Sequence, residues 1–271
     1  MSIDPLFDVD RRVVVVTGGM GQLGRRFSQA LRQRGARVVV LDVAVDDATV
    51  AQRYGHDHDG LLFVKGDVTS GASLQAALVA VENAWGAPHA LINNAALDAP
   101  PGAPPEENGP FESYPEASWD RVMAVNAKGV FLCAQTFGAA MARAGRGSIV
   151  NIASIYGIVS PDQRIYDHRR QAGEPFFKPI AYGASKASLL NVTRYLATYW
   201  ASSGVRVNTL TLGGVLNQQD GRFVAAYSQR VPLGRMAHEH EYDAAVIFLV
   251  SDASAYMTGS NMIIDGGWTA W

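Results

Sequence analysis

Cysteine is almost absent: Cys133 is the only one in 271 residues. An internal disulfide is therefore excluded, and the composition suits a reducing compartment. Charge of one sign is not in excess either. Lys and Arg number 23 against 25 Asp and Glu, a formal net charge of −2, so no strong field recruits nucleic acid or an anionic membrane. Long apolar runs are missing; the hydrophobic stretches are short and broken by Gly or charge, and none is expected to span a bilayer. The opening residues, MSIDPLFDVD, are acidic and hold no apolar leader core. These absences predict a cytoplasmic protein without nucleic-acid or membrane partners. No Ser/Gly linker or charge run divides the chain, so one domain over 1–271 is expected.

What is present is globular: 48% hydrophobic and 18% charged residues. Val13 to Thr17 is a β-branched run of the kind buried on both faces of a parallel sheet. Strand signals recur at 37–41, 61–65, 90–92, 148–152, 205–210 and 261–264. Helical patterns lie at 22–33, 73–85, 118–141, 182–201 and 242–250. This alternation predicts a doubly wound α/β fold of Rossmann type, with helices on both faces of a parallel sheet. Two segments break the rhythm and read as insertions, at about 98–115 and 157–180. The first holds six prolines from Pro100 to Pro115, and the second is polar and rich in Arg and aromatics. Loops of this length in a compact domain tend to be functional or mobile.

TGGMGQLG, Thr17 to Gly24, falls between the first strand and the first helix. Glycines there permit a tight turn and let backbone N–H groups approach a pyrophosphate at a helix N-terminus. Asp42 closes the second strand, where a carboxylate can accept hydrogen bonds from both adenosine ribose hydroxyls and would repel a 2′-phosphate. No Arg or Lys follows in Val43-Ala44-Val45, which favours NAD over NADP; the alternative is a solvated loop carboxylate. Asp67, after the third strand, either meets the adenine amino group or caps its loop. Tyr182 and Lys186 are one helical turn apart on one face. A nearby ammonium lowers a phenol's pKa, and reaching ~7 from ~10 needs about 4 kcal/mol, within reach of Lys186 and a cationic nicotinamide in a dry pocket.

Taken together, TGGMGQLG, Asp42, GDV at 66–68, NNAA at 93–96, Asn126, Ser154, Tyr182, Lys186 and DGG at 265–267 resemble the short-chain dehydrogenase/reductase family, in the family's order and over nearly the whole chain. The resemblance implies catalytic roles for Asn126, Ser154, Tyr182 and Lys186. Tyr182 would exchange a proton with the substrate oxygen, and Ser154 would hold that oxygen. Lys186 would bind the nicotinamide ribose and bias Tyr182 toward phenolate, and Asn126 would hold a water linking Lys186 to solvent. It also implies an NAD site of Gly18, Gly21, Gln22, Leu23, Asp42, Asp67, Val68, Asn94, Ala95, Ala96, Tyr182, Lys186 and Val215. A homo-oligomer, tetramer or dimer, would assemble through the helices at 118–141 and 182–201.

Two features depart from the family pattern. Gly21 gives the TGxxGxxG spacing of the extended branch, although too few residues separate Thr211 from Asp265 for that branch's substrate domain, which points to the single-domain branch. Leu212 stands where Pro often precedes the late glycines, predicting a less rigid loop at Gly213-Gly214. The proline-rich segment and the tail DGGWTAW are similar to surface-sugar and flagellin-modification oxidoreductases. Trp268 and Trp271 either pack the tail or meet a second subunit. Between Ser154 and Tyr182, Arg164, His168, Arg169, Arg170 and Lys178 face Asp162, Asp167 and Glu174 in number; they contact a polar substrate such as a sugar phosphate, pair internally or meet a second subunit. His56, His58, His238 and His240 share no strand or helix geometry, and no metal site is expected.

The expected activity is NAD-dependent interconversion of a secondary alcohol and a ketone on a small polar substrate: a sugar, polyol or sugar derivative. The alternatives are an epimerase or dehydratase with resident NAD, and a catalytically silent NAD sensor. Sensors of this kind often lose the Tyr or the Lys, and both are present here.

Overall fold

The computed structural model describes residues 4–98 and 105–271. Seven strands form one parallel sheet in the order β3-β2-β1-β4-β5-β6-β7. They are β1 (Val13–Thr17), β2 (Arg37–Asp42), β3 (Leu61–Lys65), β4 (Ala90–Asn93), β5 (Gly147–Ser154), β6 (Val205–Leu212) and β7 (Asn261–Ile264). All five residues of β1 are buried, which is why its valines run without a polar alternation.

Helices cover both faces. On one side α1 (Gln22–Arg32) and α10 (Asp243–Val250) bury Phe27, Leu31, Val246 and Leu249 against Val14 and Val16. On the other lie α3 (Gly71–Trp85), α8 (Ile180–Trp200) and a rod over 116–143. The rod is built of α4 (Glu116–Met123), α5 (Gly129–Cys133) and α6 (Ala139–Arg143), joined by π-helical turns Ala124–Lys128 and Ala134–Gly138. Leu74, Leu78, Phe137 and Trp200 pack there on Val13 and Val15. Strand order reverses between β1 and β4, and the strand ends open a crevice at that point, where open α/β sheets bind ligands.

Two helices have no counterpart in the sequence pattern. α2 (Asp47–Tyr54) buries only Val50; it forms because Asp46 caps it, accepting from Thr49 N at 2.8 Å. α9 (Gly221–Ser228) is capped by Asp220 in the same way. Within 157–180 the chain is less irregular than the sequence suggests. Gln163–Tyr166 forms a 3-10 turn and Asp167–Gln171 the short α7. Of the proline-rich segment, Pro105–Asn108 and Phe111–Ser113 form 3-10 turns. Pro100, Pro101 and Pro104 lie outside the described residues. A third apolar cluster, with Ile155, Ile165, Tyr166, Tyr227 and Trp268, sits under the second segment. Trp268 packs on Tyr227 at 4.3 Å between ring centroids, whereas Trp271 is 82% exposed.

Candidate active site

The glycine turn follows directly from β1. Gly18 has φ +64°, and a Cβ there would lie 2.7 Å from Ala95 Cα, so no other residue fits. A Cβ on Gly24 would collide with Gly18 O, whereas one on Gly21 would meet only that oxygen, at an ordinary 3.4 Å. Chain packing thus explains Gly18 and Gly24 but not Gly21. Gly21 is the N-cap of α1, and no side chain caps that helix, so the first-turn amides of Gln22 and Leu23 have no side-chain acceptor. A bare helix start beside a glycine that packing does not demand fits a dinucleotide pyrophosphate. Tyr54, on α2, donates to Gly19 O at 2.6 Å and braces the turn.

Asp42 is held at the end of β2. Its carboxylate accepts from Met20 N and Ala44 N, both at 3.0 Å. Asp67 behaves as a loop cap, accepting from Thr69 N and Thr69 Oγ1 at 2.8 Å. The Val68 side chain is buried in the core instead of the crevice. Asn94 is a brace: its Nδ2 donates to Thr17 O and Gly18 O. Thr17 Oγ1 in turn accepts from Asn94 N and Ala95 N, both at 3.0 Å, a junction that the sequence pattern did not single out.

A cavity of about 690 Å³ runs from this turn into the second half of the chain. Leu23, Asn94, Ala96 and Val215 line it together with Ser154, Tyr182 and Lys186. Ser154 ends β5, while Tyr182 and Lys186 occupy the first two turns of α8. Lys186 is buried, with Nζ donating to Ile152 O at 2.8 Å and lying 5.9 Å from the Tyr182 ring centroid. Burial lowers its pKa from 10.5 to about 8, against the opposing pull of Asp98.

The Tyr182 phenol is held above its ordinary value, first by burial and then by the Asp98 carboxylate, with Ser154 opposing. Lys186 was expected to draw this phenol down; in the chain alone burial and Asp98 prevail instead.

Asn126 sits in the first π-helical turn, a widening often found at functional sites. Its Oδ1 accepts from Leu97 N at 2.7 Å; its Nδ2 donates to Leu97 O and to Ser185 Oγ. The side-chain amide therefore ties the exit of β4 to α8.

The loop after β6 is firmly held, contrary to the expectation from Leu212. Gly214 N donates to Tyr227 OH at 2.6 Å, Ala237 N donates to Gly214 O at 3.0 Å, and Val215 bridges Ala237. The cations of 157–180 are paired: Arg164 with Asp162, Arg169 with Glu174, Arg170 with Asp167 and Lys178 with Asp98. Arg169 also stacks on Phe176. Arg164, Arg169 and Arg170 thus pair within the segment and Lys178 pairs outside it, while His168, Arg169 and Lys178 also line the cavity. Asp98, Asn108 and Tyr156 also line the cavity; no motif in the sequence marked them.

Sheet order, glycine turn and the Ser–Tyr–Lys wall define a dinucleotide-linked oxidoreductase. The family described as Enoyl-(Acyl carrier protein) reductase matches residues 21–269. A D-threitol dehydrogenase of Mycolicibacterium smegmatis is 34% identical over 99% of this chain and 97% of its own. An NAD-dependent glycerol dehydrogenase of Listeria innocua is 31% identical over 99% and 98%. Among solved structures, a gluconate 5-dehydrogenase from Burkholderia cenocepacia, in complex with NADP and tartrate, superposes with a TM-score of 0.84 at 26% identity, covering 98% of each chain. The chain belongs to the short-chain dehydrogenase/reductase family.

Proposed function

We propose that this protein is an NAD-dependent polyol dehydrogenase that oxidises a secondary alcohol to a ketone, and reverses the reaction, with Tyr182 as general acid/base. The observation that carries the reading is the convergence of Ser154, Tyr182 and Lys186 on one cavity that also reaches the glycine turn. Two relatives named for threitol and glycerol oxidation support the substrate class.

When bound, NAD supplies the hydride acceptor. The protein's part is to orient and to move the proton. Ser154 holds the substrate oxygen, Tyr182 takes its proton, and Lys186 grips the nicotinamide ribose and favours the phenolate. Asn126 keeps α8 at its distance from β4 and anchors the water route to Lys186. Gly18, Gly21, Gln22 and Leu23 receive the pyrophosphate, while Asn94, Ala95, Ala96 and Val215 line the nicotinamide end. Asp42 takes the adenosine ribose hydroxyls, and its negative charge disfavours a 2′-phosphate.

Exposed Phe131 on α5 and the stacked, exposed Tyr195 and Tyr199 on α8 support a homo-oligomer, dimer or tetramer, through these helices. The absence of a membrane-length apolar helix among the described residues is compatible with the cytoplasmic assignment.

The test is a panel of threitol, glycerol, galactitol and gluconate, each with NAD and with NADP. NAD reduction by a polyol is expected, and Asp42→Ala should weaken NAD by about tenfold while leaving NADP less affected. Turnover with NADP alone, or equal losses for both cofactors in Asp42→Ala, would overturn the cofactor assignment.

A further inference from the structure

Part of the cavity wall comes from the two irregular segments and from Tyr156, next to Ser154. Lys178 Nζ contacts both carboxylate oxygens of Asp98, at 2.5 and 2.6 Å. It lies 4.7 Å from the Tyr182 ring centroid and 5.8 Å from that of Tyr156. The Lys178 side chain is only 10% exposed. The same two segments are stitched together by Phe177 N donating to Asn108 O at 2.7 Å.

Two further polar atoms of this wall are buried without a partner among the described residues: the Tyr156 hydroxyl and Asn108 Oδ1. A buried polar atom without a hydrogen bond costs free energy, and two on one cavity wall mark where a ligand's own donors and acceptors belong. The cations of the wall are paired: Lys178 meets Asp98 and Arg169 meets Glu174. Such a wall offers hydrogen bonds of both kinds and no unpaired cation of its own to hold an anion.

We propose that Asp98, Lys178, Asn108 and Tyr156 form a subsite that reads a hydroxyl on the carbon next to the one oxidised, so that the substrate is an uncharged molecule carrying a vicinal diol. Once the reacting oxygen is placed at Tyr182 and Ser154, its neighbour reaches the Asp98–Lys178 pair. Asp98 keeps lone pairs to accept from that hydroxyl, and Lys178 donates to it. The Tyr156 hydroxyl donates to the same oxygen, and Asn108 Oδ1 serves the oxygen beyond. Gluconate and tartrate carry carboxylates, which this balanced wall does not favour. The inference rests on the dehydrogenase reading above.

Three alcohols on one three-carbon skeleton separate these ideas: propylene glycol, isopropanol and lactate. For the wild-type protein with NAD, kcat/KM is expected to favour propylene glycol over isopropanol by at least about a hundredfold, with lactate below propylene glycol. Tyr156→Phe removes an oxygen that has no hydrogen-bond partner among the described residues, so the cost to the fold is small. It should lower the propylene glycol to isopropanol ratio by about tenfold, mostly through KM, and Asp98→Ala and Lys178→Met should lower it further. A ratio unchanged in all three variants, or a wild-type preference for lactate, would overturn the subsite. If none of the alcohols, the polyol panel included, lets wild-type protein reduce the cofactor, the dehydrogenase reading itself has failed, and the subsite with it.

Discussion

Lys186 holds its ammonium in the driest part of the crevice, and that position has a thermodynamic consequence. Lowering a lysine from 10.5 to about 8 by burial corresponds to a cost of about 3 kcal/mol for keeping the charge. The folded pKa lies below the unfolded one, so the cost is present in full below pH 8 and fades as pH rises toward 10.5. Lys186→Met should therefore stabilise the cofactor-free protein by about 2 kcal/mol at neutral pH, after the lost bond to Ile152 O is discounted, while abolishing activity. Denaturant unfolding should show this advantage shrinking between pH 8 and 10.5; an advantage independent of pH would mean that the buried charge is not its source. At this scale the sequence was informative where chemistry needs fixed spacing, as with Tyr182 and Lys186. It was silent on Asp98, Asn108 and Tyr156, because their relation to the cavity arises only when segments far apart in sequence meet.

The glycine turn and α1 allow a comparison within one element. Gly24→Ala places a methyl against Gly18 O, so the turn must open; a loss of about 2 kcal/mol or more in unfolding free energy is expected. Gly21→Ala meets no such obstacle, and stability should change by less than about 0.5 kcal/mol. Its cost should fall on NAD affinity instead, read by calorimetric titration. Equal stability losses would show that Gly21 serves the turn and not the ligand. The seven strands were legible because buried β-branched runs have few alternative homes. α2 and α9 were not, since their caps, Asp46 and Asp220, support helices with little apolar periodicity. The π-helical turns in 116–143 were also hidden; widening by one residue leaves the apolar pattern almost intact.

Across the whole molecule, a buried polar chain couples the sheet to the helix that carries Tyr182. Asn93 Nδ2 donates to Asn151 Oδ1, Asn151 Nδ2 donates to Thr193 Oγ1, and the Thr193 and Thr209 hydroxyls hydrogen-bond each other, at 2.8, 2.8 and 2.7 Å. The chain spans β4, β5, α8 and β6. Asn151→Ala would strand Asn93 Nδ2 and remove a donor from Thr193 in a dry core, so unfolding free energy should fall by about 2–4 kcal/mol. A loss below about 1 kcal/mol would show that the chain contributes little. Fold class was legible from the alternation of elements. The contacts of the late loop were not legible, because Tyr227 and Ala237, which bond to Gly214, come from elsewhere in the chain.

The most direct test of the account is the rate of NAD reduction by a polyol in wild-type protein and in Tyr182→Phe, measured side by side with NAD affinity. Turnover in wild type, a loss of about a thousandfold in the variant and NAD affinity within about twofold are the results this account predicts. A Tyr182→Phe protein that turns over at the wild-type rate would contradict it.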